Sequence, residues 1–171
     1  MRQNHLFNRR PTVSADRSQD FIEQIKTASG DQKKLAIQGH GSKAKWLPRA
    51  KSDDVLALSG HAGILQYEPE ELVLTARGGT SLAEINAVLT ERQQMIACEP
   101  PQLSHDLVNH SSGTDADADT GTLGGAVACG LSGPGRPWLG AIRDAVLGVE
   151  LINGEGEYLK FGGQVMKNVA G

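Results

Sequence analysis

The chain has 171 residues, 39% hydrophobic and 22% charged, with 17 Lys and Arg against 20 Asp and Glu and a net charge of −3. That length suits one domain burying roughly two-thirds of its unfolded surface, and the composition suits a soluble globular protein. The mild acidity gives no electrostatic case for nucleic acid, which is bound through clustered Lys and Arg. No apolar run approaches the ~18 residues that span a bilayer, and the first 20 residues lack the apolar region of a signal peptide. Cys98 and Cys129 form no CxxC pair and read as reduced, buried or half-buried thiols of a cytosolic protein.

Residues 1–17 are polar and without period, as in a loose tail. A helix is expected from Asp20, which can cap it, with Phe21, Ile25 and Ala28 on one face and Gly30 as its stop. Residues 35–38 read as a short buried strand running directly into Gly39-His40-Gly41-Ser42-Lys43. Gly39, Gly41 and Ala44 match the GxGxxG/A spacing of a dinucleotide fold. The context does not: Pro48 would break the long helix required, and no acidic residue ends a second strand about 20 positions on. Two readings stay open. One is a nest of backbone N–H groups, with Ser42, Lys43 and Lys45 near it, suited to a phosphate. The other is a plain strand-to-helix turn, with His40 a turn residue.

Short strands are predicted over 55–58, 64–67 and 72–76. Arg77-Gly78-Gly79-Thr80 then leads into a helix marked by Ser81 and Glu84 as a capping box and by Leu82, Ile85, Val88 and Leu89 as its apolar face. Gly78 and Gly79 read as an ordinary loop or, less simply, as an anion-holding turn. An apolar stretch over 95–98 predicts a strand that ends at Glu99-Pro100-Pro101. Residues 102–119 read as a long polar loop, mobile or a lid. Asp115, Asp117 and Asp119 imitate the start of a calcium loop, but Thr120 stands where glycine is needed and Ala126 where the bidentate Glu belongs. His105 and His110 lack partners, so no metal is expected.

Residues 120–140 hold seven of the 21 glycines, mixed with Ala126, Ala128 and Cys129. Side chains this small permit close approach, either of a packed sheet or of a ligand. Residues 145–152 and 157–161 flank an Asn-Gly pair as a hairpin would.

Four segments carry a resemblance: IQGHGSK at 37–43, CEPP at 98–101, GTLGGAVACGLSGPGRPW at 121–138 and FGGQVMKNVAG at 161–171. In this order they resemble the FAD-binding domain of the PCMH (vanillyl-alcohol oxidase) type, and within it the FAD-binding subunits of bacterial glycolate oxidases. The likeness covers about residues 20–171. It implies an α+β fold of two subdomains with FAD between them: a first over 18–100 and the start of a second over 101–171. It implies that Gly39, His40, Gly41, Ser42 and Lys43 wrap the diphosphate and that Pro100 and Pro101 line the cofactor's path. Gly121, Thr122, Gly124, Gly125 and Val127 would lie along the diphosphate and the isoalloxazine ring. Ser42 stands where some relatives carry a flavin-linked histidine, so FAD is expected to be noncovalent.

The same resemblance implies oxidation of glycolate or another 2-hydroxy acid, in a complex with a second flavin subunit and an iron–sulfur subunit. Such a complex would be cytoplasmic or peripheral to the inner membrane. Family members run well past KNVAG, which predicts that the chain is a truncated piece with an incomplete second subdomain, binding FAD weakly or not at all by itself. No catalytic residue is assigned; His40, His61, Arg136 and Arg143 are candidates by type alone, and the two arginines read better as partners of Asp144 or the backbone. Two other readings stay open. One is a non-catalytic FAD-binding, electron-relay or assembly subunit, and the other is a nucleotide-binding module without flavin.

Overall fold

A computed structural model describes residues 16–43, 51–101 and 121–163. Lys45 and Pro48, the polar loop with its four aspartates and two histidines, and the KNVAG motif lie outside the described residues. The architecture is α+β, as expected, with four helices and six strands among those residues.

Helix α1, Ser18–Gly30, buries Phe21 and Ala28, two turns apart on one face. It starts two residues before the expected cap. Asp20 lies inside the first turn and meets Arg17 Nε at 3.0 Å; the side chain that takes a first-turn N–H is Asp16, whose Oδ1 accepts from Ser18 at 2.9 Å. The helix stops at Gly30 as expected, although the left-handed conformation falls on Gln32 (φ 56°), and Lys33 N–H returns to Ala28 O at 2.8 Å.

Strands β1 (Leu35–Gln38) and β2 (Asp54–Ala57) pair in parallel, Leu35 opposite Asp54 and Gln38 opposite Ala57. Strands β3 (Ile64–Glu68) and β4 (Val73–Ala76) form an antiparallel pair bulged between Ile64 and Gln66. Helix α2, Leu82–Thr90, opens on Ser81, whose hydroxyl accepts from Glu84 N–H at 3.0 Å. It lays Ile85 and Leu89 against Ile64, Tyr67 and Leu74 of that pair.

The strand expected over 95–98 is absent. Gln93 (φ 57°) and Glu99 (φ 45°) both turn left-handed, and Glu99 N–H closes a turn on Ile96 O at 3.0 Å, so the chain curls instead of extending. Curling buries Cys98 with Leu82, Ala126 and Ile142. Burial also pushes the Cys98 thiol up from its ordinary pKa.

Helix α3, Leu123–Cys129, ends on Gly130 in the left-handed conformation that a C-terminal cap favours. A single turn, α4 (Arg136–Leu139), and a 3-10 turn (Ile142–Ala145) lead to β5 (Gly148–Ile152) and β6 (Tyr158–Gly162). The last two form the expected hairpin, though not on a two-residue Asn-Gly turn. Asn153 Oδ1 accepts from both Glu155 and Glu157 N–H, and the left-handed glycine is Gly156.

One joint ties these pieces together. Thr80, fully buried, accepts Gly63 N–H on its hydroxyl at 2.9 Å and donates that hydroxyl to Arg77 O at 2.7 Å. Beside it, a Cβ on Gly79 would overlap Leu58 O and stand 2.6 Å from His61 O. Gly79→Ala must therefore move two backbone segments, and urea unfolding is expected to show a loss of about 3 kcal/mol.

His61 anchors α1 to the same joint. Its Nδ1 accepts Arg17 N–H at 3.1 Å, and its ring meets Phe21 edge-on at 5.6 Å. Burial holds its pKa below the ordinary 6.5, with Arg77 and Arg17 adding to that and Asp16 opposing it. The fold thus favours neutral His61. Its contribution is complete above 6.5 and is lost as pH falls below that value. Unfolding of wild type and of His61→Gln at about pH 7.5 and 5.5 should show the larger acid loss in wild type; equal losses would refute this.

Candidate functional site

β1 delivers the chain into Gly39, and Gly41 (φ 76°) makes the left-handed bend that turns the loop back. Among the described residues none of the backbone N–H groups over 39–43 donates a hydrogen bond. The Nδ1 of His40 is buried with no hydrogen-bond partner there. Ser42 and Lys43 are each only 8% exposed. Five adjacent donors without acceptors, beside a buried cation, form a nest for an anion.

This loop lies on the start of α3. A Cβ on Gly39 would stand 2.5 Å from Thr122 Oγ1, and one on Gly121 would stand 2.8 Å from Ser42 Oγ and 3.4 Å from Lys43 Nζ. Gly121 (φ 78°) and the buried Thr122 therefore pack directly against the first loop.

A second loop, 78–81, reaches the same place. Ser81 and Thr122 form an antiparallel bridge, Leu82 N–H donating to Gly121 O and Leu123 N–H to Thr80 O. Gly124 N–H continues it to Gly78 O at 2.8 Å, and a Cβ on Gly124 would stand 3.2 Å from Gly78 Cα. Thr122 Oγ1 accepts Gly125 N–H at 3.1 Å. The first N–H groups of α3 are thus already satisfied by protein, so the helix has few donors left for a ligand. The room that Gly124 leaves is occupied by the backbone of Gly78.

The residues implied by the sequence thus fall into two sets. Gly39, Ser42, Lys43, Gly121, Thr122, Gly124 and Gly125 come together, with His40 and Gly41 inside the same loop. Pro100 and Pro101 sit half-buried at a separate corner. There Glu99 does the holding: its carboxylate accepts Gly135 N–H at 2.8 Å, and its backbone lies against Gly133. Arg143 meets Asp144 at 3.6 Å, as the sequence suggested. The sequence reading passed over Gly78 as part of the joint, for which the only signal was a glycine pair before a helix cap.

A cavity of about 1150 Å³ opens beside α3, between α1 and the three strand pairs. Of the residues implied by the sequence, only Gly124 and Val127 line it; most of its wall is apolar, including Ile25, Leu56, Leu74 and Val149. Among the described residues no group of His, Cys, Asp or Glu could hold a metal ion. No described helix is long and apolar enough to cross a membrane.

A nest of donors in the loop at 39–43 and an apolar wall beside α3 fit a ligand with an anionic segment and a flat apolar ring. Comparison with known proteins agrees. A family model described as an FAD binding domain matches residues 11–108 and 101–162. The glycolate oxidase subunit GlcE of Escherichia coli (strain K12) is 47% identical over 156 residues, 91% of this chain and 40% of that subunit. The chain thus spans two fifths of that relative's length. Among solved structures, a glucose dehydrogenase, wild-type Phl p 4.0202, superposes with a TM-score of 0.66 at 12% identity over 86% of this chain and 28% of its own. An alkyldihydroxyacetonephosphate synthase gives 0.61 at 16% identity over 84% and 25%. At such identities the likeness is one of fold.

The hydroxyl of Thr122 caps α3 while its side chain backs Gly39. Thr122→Ala should therefore cost about 1 kcal/mol in chemical denaturation, whereas Thr122→Ser, which keeps the cap, should recover most of it.

Proposed function

This chain belongs to the FAD binding domain family, and from that premise we propose that it is the FAD-binding part of a glycolate oxidase subunit. The whole enzyme would oxidise glycolate or another 2-hydroxy acid to the 2-oxo acid. The observation that carries this reading is the 47% identity to GlcE across 91% of the chain. The donor nest at 39–43 supports the cofactor assignment independently, because a diphosphate needs such donors.

In this reading FAD, when bound, supplies the redox chemistry by accepting a hydride equivalent from the carbon that bears the hydroxyl. The chain's own residues bind and orient it. The N–H groups of the first loop take the diphosphate, and Gly121 and Thr122 back that loop. Val127, partly exposed on α3, borders the ring, and Pro100 and Pro101 line the cofactor's path toward the second subdomain, whose start we put at residue 101. Ser42 cannot form the histidyl link, so the flavin is held noncovalently.

No described residue takes the role of substrate base or carboxylate clamp. His61 is engaged by Arg17 and Phe21, and Arg143 lies beside Asp144. Those roles are left unassigned. A subunit of this kind works in an assembly, and the partners we infer are a second flavin subunit and an iron–sulfur subunit. We infer a cytoplasmic location, with any membrane contact made through the complex.

The test is spectroscopic and then catalytic. Expressed as part of a subunit of its relative's length, the chain should carry the oxidised-flavin absorbance between about 350 and 500 nm, acid should release it as free FAD, and addition of partner subunits should give glycolate-dependent dye reduction. Flavin that stays with denatured protein would refute noncovalent binding, and absence of flavin would refute the assignment. Gly124→Val would be a poor probe, since it would strike the Gly78 backbone before any ligand.

A further inference from the structure

The GPGRPW motif at 133–138 has two halves with different explanations. The GPG half is set by Glu99. The Glu99 carboxylate accepts Gly135 N–H at 2.8 Å, Gly133 N–H donates to Cys98 O at 3.0 Å, and a Cβ on Gly133 would stand 2.5 Å from Glu99 O. The far end of the segment is fixed as firmly. Ala141 N–H donates to Asp144 Oδ2 at 2.9 Å, Ile142 N–H donates to Ser132 Oγ at 3.3 Å, and Ile142 is buried with Leu82, Cys98 and Ala126. Residues 133–141 are thus an arch held at both feet.

The arch holds up the RPW half, and the fold buries none of it. Trp138 is 83% accessible, the most exposed of the large hydrophobic residues described, with exposed Leu131 and Leu139 near it in the chain. Tryptophan is ordinarily a mostly buried residue. Arg136 is exposed and pairs with no described carboxylate, and Arg143, its side chain 82% exposed, reaches Asp144 at 3.6 Å. Between residues 131 and 143 there is no acidic side chain, although the whole chain carries a net charge of −3. Trp and Arg are the residues that most often anchor protein interfaces, and a display already held in place loses little freedom on docking. Two arginines are too few for an anionic membrane surface, which takes clusters of about four to eight cations.

We propose that the arch is a docking anchor for another protein: Trp138 fills an apolar pocket on that partner, and Arg136 and Arg143 pair with carboxylates on the pocket's rim. The proposal rests on the reading above that the subunit works in an assembly, and it names the surface by which the subunit joins.

The experiment uses a flavin-loaded subunit of its relative's length as wild type, Trp138→Ala, Trp138→Phe and the double variant Arg136→Glu/Arg143→Glu. Each is titrated with the partner subunits inferred above at two salt concentrations, and separately with vesicles of phosphatidylcholine and phosphatidylserine. Trp138→Ala should weaken assembly about tenfold or more, as loss of a central aromatic anchor does, and Trp138→Phe should recover part of that. The charge-reversed variant should lose more affinity at low salt than at high, because its defect is electrostatic. All three should keep the flavin content and thermal midpoint of wild type, since Glu99, Asp144 and Ser132 hold the arch and the displayed side chains do not.

The proposal falls if Trp138→Ala joins the partner subunits within about twofold of wild type, given the size expected of an anchor. It falls equally if that variant melts several degrees lower, because the indole would then be covered by the subunit's own chain. A homodimer of wild type that Trp138→Ala dissolves would make a second copy the occupant, and vesicle binding that the variant loses would make it a membrane; either result overturns the proposal. If wild type carries no flavin or joins none of those subunits, it is the proposed function beneath that fails.

Discussion

The structure depends on one short piece of backbone pairing, the bridge between Ser81 and Thr122. Helix starts leave orphan N–H groups that must find acceptors. Here α2 and α3 begin side by side, and each start is satisfied by the other's loop: Leu82 N–H by Gly121 O, Leu123 N–H by Thr80 O, and Gly124 N–H by Gly78 O. Where the loops come closest there is no room for a side chain: Gly78 faces Gly124, and Gly79 threads between Leu58 and His61. The β3–β4 pair is fastened to the same point through Thr80 and Gly63. α1 is fastened to it through His61.

That joint allocates the hydrogen-bond donors of the site. Because α3's first N–H groups are spent on Thr80, Gly78 and Thr122, the helix has little left for an anion. The loop at 39–43, lying on the same joint, donates none of its own to another described residue. The glycine-rich stretch is therefore first a packing device and only then a wall. Its small residues let two loops meet, and the meeting sets a third loop with free donors on top of them.

What was legible in the sequence was whatever local chemistry decides. β1 follows a run of four residues into glycine, and α2 follows Ser81 and its apolar spacing; both stand where the pattern put them, although β1 is not buried as expected, Ile37 being 74% exposed. The start of α1 was misread because Asp20 looks like a cap, whereas its carboxylate pairs with Arg17 inside the first turn. Residues 95–98 are apolar for a tertiary reason: Cys98 fills a gap between Leu82, Ala126 and Ile142, and two left-handed residues bend the chain to deliver it. The Asn-Gly pair misled in the same way, since the Asn153 side chain organises a longer turn and Gly156 supplies the left-handed position. The site residues carried a motif that could be matched, but not the partners that explain them. That Gly39 meets Thr122 and Gly124 meets Gly78 depends on contacts more than 40 residues apart in the chain.

The two concave features share one short helix. At its start Gly121 and Thr122 pack on the donor loop, while Gly124 and Val127 line the apolar cavity. Residues one turn apart on a helix are separated by about 5.4 Å along its axis, so a polar and an apolar surface lie within the reach of a single extended ligand. A phosphate alone would use only the loop, and a flat hydrocarbon only the cavity wall. A molecule with charge in its middle and an aromatic ring at one end satisfies both. The exposed face of Val127, 36% accessible on an otherwise small-residue helix, then has a reason to be apolar. The unpaired donors at 39–43 have a reason to be unpaired. The same short helix that locks the fold together thus backs the donor loop at its start and walls the cavity along its side.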